Sequence, residues 1–428
     1  MRGNDEWGLM GRMTTTTADR IVTLDVIRGV AVMGIFSVNV TDFAMIQAAY
    51  SNPLAYGGSS GENLLVWALN MLFVDGKFRT LFSCLFGASM LLVIERAGAA
   101  GWSVHWRRMA VLLLFGLAHA ILLWRGDILA LYAVTGTVAY FCHRMSTIRL
   151  VALGGALSMT NLLLFGAIAV TLYHQDVVAH GPNPSALIVS NRDANFGSFF
   201  PSAQQIAADL KIYDGSWPAI VAHEAAQAGQ IFVNILTLLP DTLGLMLLGM
   251  AAYKSGFATG AWSGRSYRRI AAWGIGIGLA GFAGLVAAEL ASGFYVPILI
   301  GGFLAAMVPF RIVMAAGYVA LLVLLFRNRS SLRDRLAAVG RAAFSNYLGT
   351  SLVATSVFYG WGLGWYGDVS RAEAWLLVPL VWLAMLAWSK PWLDRFAYGP
   401  LEWLWRSLAR WEMQPFRKRP GEPAAAGV

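Results

Sequence analysis

Residues 298–326 read ILIGGFLAAMVPFRIVMAAGYVALLVLLF, an apolar run with a single charged side chain, Arg311. At about 1.5 Å of rise per helical residue, this run is longer than the roughly 30 Å hydrocarbon core of a bilayer. A helix of this composition has no polar face to present to water. The stretch therefore predicts a transmembrane helix, unless Pro297 and Pro309 divide it into a re-entrant piece and a full span.

Apolar runs of this kind recur along the whole chain. We predict ten transmembrane helices, at 22–47, 77–94, 108–124, 127–142, 149–172, 229–252, 269–291, 298–326, 343–363 and 373–390, and a shorter segment at the membrane interface, at 64–74. The composition agrees, because 57% of the residues are hydrophobic and only 13% are charged, against about 25% charged in soluble proteins. The predicted fold class is an all-α, polytopic membrane helix bundle.

The positive charges predict the orientation of this bundle. Of 32 Lys and Arg residues, 24 fall in the N-terminal segment, the C-terminal segment and the loops after helices two, four, six and eight, and four fall in the other loops. Cytoplasmic loops carry the Lys and Arg excess, so both termini are expected in the cytoplasm. The net charge of +9 is then a topology signal and gives no reason to expect a nucleic-acid partner.

The same pattern divides the chain into a membrane domain with two tails. We expect 1–20 to be a cytoplasmic tail without a cleaved signal peptide, 21–410 a single transmembrane domain, and 411–428 a second cytoplasmic tail. Residues 173–228, between helices five and six, are expected to form a long extracytoplasmic loop. Within it, the Ala-rich stretch 202–211 predicts a short helix lying on the membrane.

Few features indicate a cofactor. Cys84 and Cys142 provide neither a disulfide framework nor a metal-spaced cluster, so no metal is expected. The run GIGLAG at 276–281 matches a dinucleotide fingerprint by letter, but no strand precedes it. Its glycines indicate close helix packing instead.

Ionisable residues within apolar runs cost a few kcal/mol each to place in a bilayer and are the first functional candidates. In helix one, Asp25 and Arg28 are three residues apart, and Asn39 follows Arg28 by eleven. At 100° per residue all three lie near one face. They either shape a substrate tunnel, or form an ion pair that orients the helix and an Asn that bonds to a neighbouring helix.

The densest polar cluster is Arg107, Arg108, His119 and Asp127, in helices three and four. Arg108 and His119 are eleven residues apart, so they share a face about 16 Å apart along the axis, a span of the order of the pantetheine arm of coenzyme A. The arginines are candidates for phosphate binding and His119 for a general base. Alternatively, the arginines only enforce orientation, and His119 is a buried histidine bonded to Asp127 or Asn39.

Three further features provide candidates. Arg79, at the start of helix two, and Arg311, in helix eight, are cations that either counter an anionic substrate or extend to the headgroups. In helix nine, Ser345, Asn346 and Tyr347 either line a polar cavity or bond to neighbouring helices.

Six motifs in this order resemble the YeiB family of bacterial multi-pass inner-membrane proteins. They are LDVIRG at 24–29 with VN at 38–39, FSCLFG at 82–87, GLAHAILLWRGD at 116–127, LLGM at 247–250 with GF at 256–257, GR at 340–341 with SNY at 345–347, and GPLEWLWR at 399–406. The family usually has Thr where Ser345 stands and Gln where Thr350 stands. Both replacements keep a hydrogen-bonding group.

This family is distantly similar to transmembrane acyltransferases such as heparan-alpha-glucosaminide N-acetyltransferase. The resemblance implies transfer of an acyl group from cytoplasmic acyl-CoA to a hydroxyl or amine on a small-molecule or glycan acceptor. In that interpretation His119 is the base, Asp127 orients it, and Arg107 and Arg108 hold the donor. The alternatives are a transporter or channel for a small polar solute, and a non-catalytic envelope protein. Membrane lipids are expected partners, and self-association is left open.

Overall fold

The computed structural model describes residues 17–418, with side chains from residue 22 onward, and all regular structure in that range is helical. The helices are α1 (Thr17–Ala44), α2 (Ala48–Ser51), α3 (Gly61–Phe73), α4 (Lys77–Ala97), α5 (Gly101–Leu122), α6 (Leu129–Ala139), α7 (Thr147–Ala179), α8 (Ala186–Gly197), α9 (Ala203–Tyr213), α10 (Trp217–Ala226), α11 (Gly229–Lys254), α12 (Gly264–Ala291), α13 (Val296–Leu299), α14 (Met307–Leu325), α15 (Ser331–Arg341), α16 (Ala343–Phe358), α17 (Arg371–Trp375), α18 (Leu377–Arg395) and α19 (Pro400–Arg410). The all-α prediction is confirmed.

Seven helical stretches among the described residues are long and apolar enough to cross a membrane. They are Val22–Ala44, Gly61–Leu122, Thr147–Ala179, Gly229–Lys254, Gly264–Ala291, Val296–Leu325 and Arg371–Arg395. Large apolar side chains on these helices are exposed, among them Leu163, Leu236 and Trp273, each more than 70% accessible. Such surfaces are stable against lipid rather than water, so the protein is a multi-pass membrane protein. The number of ten spans stays a prediction, because one of the seven stretches, Gly61–Leu122, contains three helices, α3, α4 and α5. The cytoplasmic location of both termini also stays a prediction.

The eighth predicted helix, at 298–326, lies in one continuous helical stretch. Helical conformation extends from Val296 to Leu325, with a π-helical segment at Ile300–Ala306 between α13 and α14. Pro309 is the third residue of α14, next to the junction between the π-helical segment and the α-helix. Proline lacks a backbone N–H group, and here that group is missing where the hydrogen-bonding pattern of the helix already changes. The helix is therefore not divided at Pro309.

The predicted extracytoplasmic loop is largely helical. It contains the end of α7 and the short helices α8, α9 and α10. The predicted helix at 202–211 is α9, which Ser202 and Gln205 begin with reciprocal side-chain-to-backbone hydrogen bonds of 3.3 and 2.8 Å. This capping box satisfies two N–H groups that the first turn leaves without helical partners.

Glycines allow close backbone contact at two helix crossings. A Cβ atom on Gly340 of α15 would overlap the carbonyl oxygen of Asp25 in α1, and one on Gly29 would overlap that of Leu336. Likewise, a Cβ atom on Gly249 of α11 would overlap a backbone carbonyl of α4. Because only glycine permits such backbone approach, these pairs set how α1 and α4 lie against their neighbours.

Candidate functional site

A cavity of about 1120 Å³ opens between α1, α4, α5, α15, α16 and α19. Most of its wall is apolar, and the side chains that provide this wall include Phe82, Phe86, Met90, Met109, Leu112 and Leu129. This volume includes the open mouth of the cavity. An apolar wall of this kind favours a ligand with an apolar chain.

Four arginines lie at one end of this cavity, which we call the Arg-rich end: Arg28, Arg108, Arg341 and Arg406. Arg28 is held by an ion pair to Asp25, with a nitrogen-to-oxygen distance of 2.8 Å, and donates to Ser89 at 2.5 Å. The Arg108 guanidinium lies 4.3 Å from the ring centroid of Trp405 in α19. Converging guanidinium groups at an apolar cavity favour a ligand with an anionic head.

Helix α19 is attached to the start of α16 through Glu402. The Glu402 carboxylate accepts hydrogen bonds from the N–H groups of Phe344 and Ser345, at 2.7 and 3.1 Å, and from the Ser345 hydroxyl at 2.5 Å. It thereby satisfies free N–H groups at the first turn of α16. Burial raises the pKa of Glu402 above its ordinary value, and the hydrogen bonds from Ser345 oppose that rise.

Two tyrosines, Tyr132 and Tyr347, also line the cavity. The Tyr132 hydroxyl is 2.8 Å from the Ser83 hydroxyl. The Tyr347 ring lies 5.4 Å from the imidazole of His119, measured between ring centroids. His119 therefore lies behind the part of the cavity wall that Tyr347 forms.

His119 and Asp127 form a buried dyad. The distance from His119 Nδ1 to Asp127 Oδ1 is 2.9 Å, and both side chains are at most 2% exposed. Asp127 Oδ2 accepts a hydrogen bond of 2.8 Å from the Ala130 N–H at the start of α6, which fixes the carboxylate. An ionised carboxylate only accepts hydrogen bonds, so in a neutral imidazole this contact corresponds to the tautomer with the proton on Nδ1 and a lone pair on Nε2. The Nε2 atom is buried and has no hydrogen-bond partner among the described residues.

A second pocket, of about 1480 Å³, reaches the other end of α5, and we call it the far pocket. Its wall includes Ala120 and Gly126, the chain neighbours of His119 and Asp127. The remaining wall is rich in carboxylate and amide groups, contributed by Asp42, Gln205, Asp209, Glu224, Gln227 and Asn234. The dyad thus lies between an apolar cavity with a basic end and a polar pocket.

Trp124 lies between the dyad and the far pocket. Its ring centroid is 6.2 Å from that of His119, and its indole packs directly beneath Gly126. The indole N–H donates to Asp42 at 3.0 Å, and Phe43 packs against the ring with centroids 4.1 Å apart. This buried side chain separates His119 from the far pocket in the described conformation.

Comparison with known proteins places these features in a family. Residues 252–412 match the family described as "Protein of unknown function (DUF418)". The chain is 32% identical to "Uncharacterized protein YeiB" of Escherichia coli (strain K12), over 91% of this chain and 96% of that protein. It is also 32% identical to "Uncharacterized protein YxaH" of Bacillus subtilis (strain 168), over 95% and 98% of the two chains. The chain belongs to the YeiB family. No solved structure matches it.

The motifs that resemble the YeiB family meet around the cavity. Arg28 comes from the first motif, Arg341 and Tyr347 from the fifth, and Glu402 and Arg406 from the sixth, and all five line the cavity. They lie on α1, α15, α16 and α19, which are far apart in the sequence. Among the described residues, no group of three or more His, Cys, Asp or Glu side chains is arranged to hold a metal ion.

Several predicted site residues of this YeiB-family chain lie outside the cavity wall. Arg79 and Arg311 both bond to Asp241 of α11, each with a nitrogen-to-oxygen distance of 2.5 Å. Arg107 is exposed beside the cavity, and Asn39 is half-buried on α1. Asp241 was not among the predicted site residues, although an acidic residue within an apolar run is itself a signal.

The predicted polar residues of α16 divide into two groups. Tyr347 lines the cavity, whereas the Ser345 hydroxyl is engaged by Glu402. The amide of Asn346 donates to the Val339 carbonyl at 3.1 Å and to Ser389 at 3.2 Å, and it accepts from the Trp388 indole at 2.9 Å. Its hydrogen-bonding groups are therefore used to join α15, α16 and α18.

Proposed function

We propose that the protein is a membrane acyltransferase that moves an acyl group from acyl-CoA to a hydroxyl or amine acceptor. The observation that supports this most is the position of the His119–Asp127 dyad between the Arg-rich cavity and the far pocket. A transfer enzyme needs a base between two substrates, and here one ligand space lies on each side of a single histidine, with the Tyr347 and Trp124 rings as the intervening side chains. The bacterial inner membrane is the proposed location.

The cavity suits the donor. The pyrophosphate of coenzyme A would lie among Arg28, Arg108 and Arg341. Each guanidinium can donate two parallel hydrogen bonds to phosphate oxygens. Its pantetheine arm and acyl group would extend along the apolar wall toward Tyr347. The excess of Lys and Arg at this end favours an entry from the cytoplasm.

The dyad suits the chemistry of acyl transfer. With Nδ1–H donating to Asp127, His119 Nε2 accepts the proton of the acceptor as its oxygen or nitrogen attacks the thioester carbonyl carbon. The tetrahedral intermediate then collapses, the carbon–sulfur bond breaks, and the leaving sulfur takes the proton back from Nε2. His119 returns to its starting state, and the products are the acylated acceptor and free coenzyme A.

The far pocket suits the acceptor. Its carboxylate and amide groups can bond to hydroxyl or ammonium groups of a small molecule or a glycan. Arg125 is the cation in its wall and is engaged by Asp42 at 3.4 Å and by the Tyr213 hydroxyl at 2.8 Å. Burial lowers the pKa of Arg125, but Asp42 and the nearby tyrosines outweigh that effect and raise it well above its ordinary value, so this residue stays charged.

A second candidate function is transport of a small polar solute. Two pockets approach the same part of α5 from opposite ends, and the side chains of Tyr347, His119 and Trp124 lie between them. Alternating access to one central site has this general form. The two candidates differ in one testable respect, because only the acyltransferase breaks a covalent bond.

The test is acetyl-CoA binding and coenzyme A release by the detergent-purified full chain, with hydroxylamine as a small nucleophile. We expect His119→Gln to bind acetyl-CoA within about twofold of wild type and to release coenzyme A at least about 100-fold more slowly, the usual contribution of a general base. Arg108→Gln combined with Arg341→Gln should weaken binding at least tenfold. The matched control removes two exposed arginines of α12, Arg268→Gln with Arg269→Gln, and should leave both readings unchanged.

Absence of acetyl-CoA binding by the wild-type protein at any attainable concentration would overturn the acyltransferase proposal. Flux of small polar solutes into liposomes would then test the second candidate. Unchanged release by His119→Gln, with binding intact, would remove His119 from the mechanism.

A further inference from the structure

A second basic pocket lies beside the Arg-rich end of the cavity. Its volume is about 1120 Å³, and we call it the outer arginine pocket. Its charged wall residues are Arg96, Arg107, Arg108, Arg406, Arg410 and Glu412. Val93, Arg108 and Arg406 belong to the walls of both the cavity and this pocket, so the two spaces adjoin. Five guanidinium groups face one carboxylate in it.

The convergence of these arginines depends on how α19 docks. Arg406 and Arg410 are four residues apart on α19, and Arg107 and Arg108 lie on α5. The Trp405 indole N–H donates to the Arg108 carbonyl at 3.1 Å, which joins the two helices at this point. Arg96, in the last turn of α4, completes the group. The tertiary fold therefore assembles the pocket from three separate segments.

This arrangement has an electrostatic cost. Arg28, Arg406 and Arg410 all lie close enough to Arg108 to repel it. Burial lowers the pKa of Arg406, Tyr398 opposes this effect, and Arg410 adds to it. Like charges held together are destabilising unless an anion compensates them. An anionic ligand in this pocket would bring that compensation and would be bound more tightly because of it.

We propose that the outer arginine pocket binds a phosphate monoester of the ligand whose chain occupies the cavity. A phosphate monoester carries a charge of about −1.5 to −2 near pH 7 and has three acceptor oxygens. Arginine forks match those oxygens in bidentate geometry. The cavity ligand thus carries phosphate at two places, one at the Arg-rich end and one in the adjoining pocket.

This inference rests on the proposed function for the identity of the ligand. In acyl-CoA the monoester is the 3′-phosphate of the adenosine unit, and the pyrophosphate is the second group. The same monoester chemistry also occurs in a lipid headgroup, as in phosphatidic acid. Both sources would use Arg96, Arg107 and Arg410 as monoester-binding residues.

The experiment compares ligands that differ only in the monoester. Binding of coenzyme A and of dephospho-coenzyme A, which lacks the 3′-phosphate, is measured on the purified full chain. In a parallel arm, short-chain phosphatidic acid is compared with phosphatidylcholine. Each ligand is tested on wild type, on Arg107→Gln with Arg410→Gln, and on the control Arg268→Gln with Arg269→Gln, which removes the same charge from exposed positions of α12.

We expect wild type to bind coenzyme A at least tenfold more tightly than dephospho-coenzyme A. Arg107→Gln with Arg410→Gln should weaken coenzyme A binding at least tenfold and leave dephospho-coenzyme A binding within twofold of wild type. The control should change neither. A general loss of folding would weaken both ligands equally, so the difference between them separates recognition of the monoester from damage to the protein.

The other outcomes separate this inference from the proposed function. Equal binding of both coenzyme A forms overturns the monoester site and leaves the acyl-CoA donor intact. A preference for phosphatidic acid that the double variant removes, without coenzyme A binding, supports the monoester site and overturns the donor. No preference for a monoester in either arm overturns the inference.

Discussion

Asp241 joins three transmembrane segments, and its replacement should be costly to the fold. Its two carboxylate oxygens accept from Arg79 and from Arg311, each at 2.5 Å, and the Asp241 side chain is fully buried. The Arg79 side chain is 26% exposed, whereas that of Arg311 is 1% exposed. In Asp241→Asn, Arg79 is still partly exposed, but Arg311 keeps a buried charge that has lost its hydrogen-bonded counter-ion.

The magnitude follows from these contacts. Charge-assisted hydrogen bonds contribute about 1.5–3 kcal/mol each, and removing one partner of a buried ion pair costs about 3–5 kcal/mol. We therefore expect Asp241→Asn to lower the free energy of unfolding by about 3–5 kcal/mol. For 428 residues, an unfolding entropy of roughly 2.1 cal/mol/K per residue converts this loss into a fall in Tm of about 3–6 °C.

The assay is thermal unfolding in detergent, followed by intrinsic fluorescence of the 17 tryptophans. Asp193→Asn, which removes a carboxylate 60% exposed and paired with Arg192 at 3.1 Å, is the control and should shift Tm by less than about 1 °C. Asp241→Leu combined with Arg311→Met should be less destabilising than Asp241→Asn alone, because no buried charge is left over. The reasoning would be refuted if Asp241→Asn had the Tm of the wild-type protein. It would also be refuted if the double variant lost as much stability as the sum of the losses in Asp241→Leu and Arg311→Met alone.

Three further predictions concern helix packing around the cavity. Gly340→Ala should lower the free energy of unfolding by about 3 kcal/mol, because the added Cβ atom would overlap the backbone of α1. The control Gly276→Ala places its Cβ atom in open space and should stay within about 0.5 kcal/mol of wild type. Thermal unfolding compares the two variants. Asn346→Ala removes three hydrogen bonds and should cost about 2 kcal/mol without changing acetyl-CoA affinity, and weaker affinity in a folded variant would instead indicate a binding role. Because burial raises the pKa of Glu402 in the folded state, its contribution to stability should be fully present below the ordinary value of 4.5 and decline as pH rises through the raised pKa. Tm measured from pH 4.5 to 8 should show that decline in wild type and less of it in Glu402→Gln.

Much of the local structure was predictable from the sequence. Each of the ten apolar runs lies largely on helical residues, and the short helix predicted at 202–211 is α9, which begins at Ala203. The pairing of Asp25 with Arg28 and of His119 with Asp127 was also among the stated alternatives. The helices are local features of the sequence. The two pairs were predictable because charged side chains in apolar runs are few, so each has few available partners.

The sequence did not reveal which distant groups share one site. Arg341 and Arg406 belonged to recognised motifs, but nothing in their spacing indicated that they meet Arg28 and Arg108 at one cavity. Arg79 and Arg311 appeared as separate candidates for an anionic substrate, and the structure pairs both with Asp241. A pattern along one helix gives the face of a residue but not the helix that it faces.

The sequence by itself determined that this chain crosses a membrane repeatedly as helices, because backbone polar groups must be satisfied within each segment in lipid. It also determined which side chains are too costly in lipid to be incidental. Only the tertiary structure decided their use, since glycine contacts such as Gly29 and Gly340 bring α1 against α15, and Glu402 brings α19 to α16. Those contacts join residues more than fifty positions apart, and they place an arginine-lined opening at one end of α5 and a His–Asp dyad at the other.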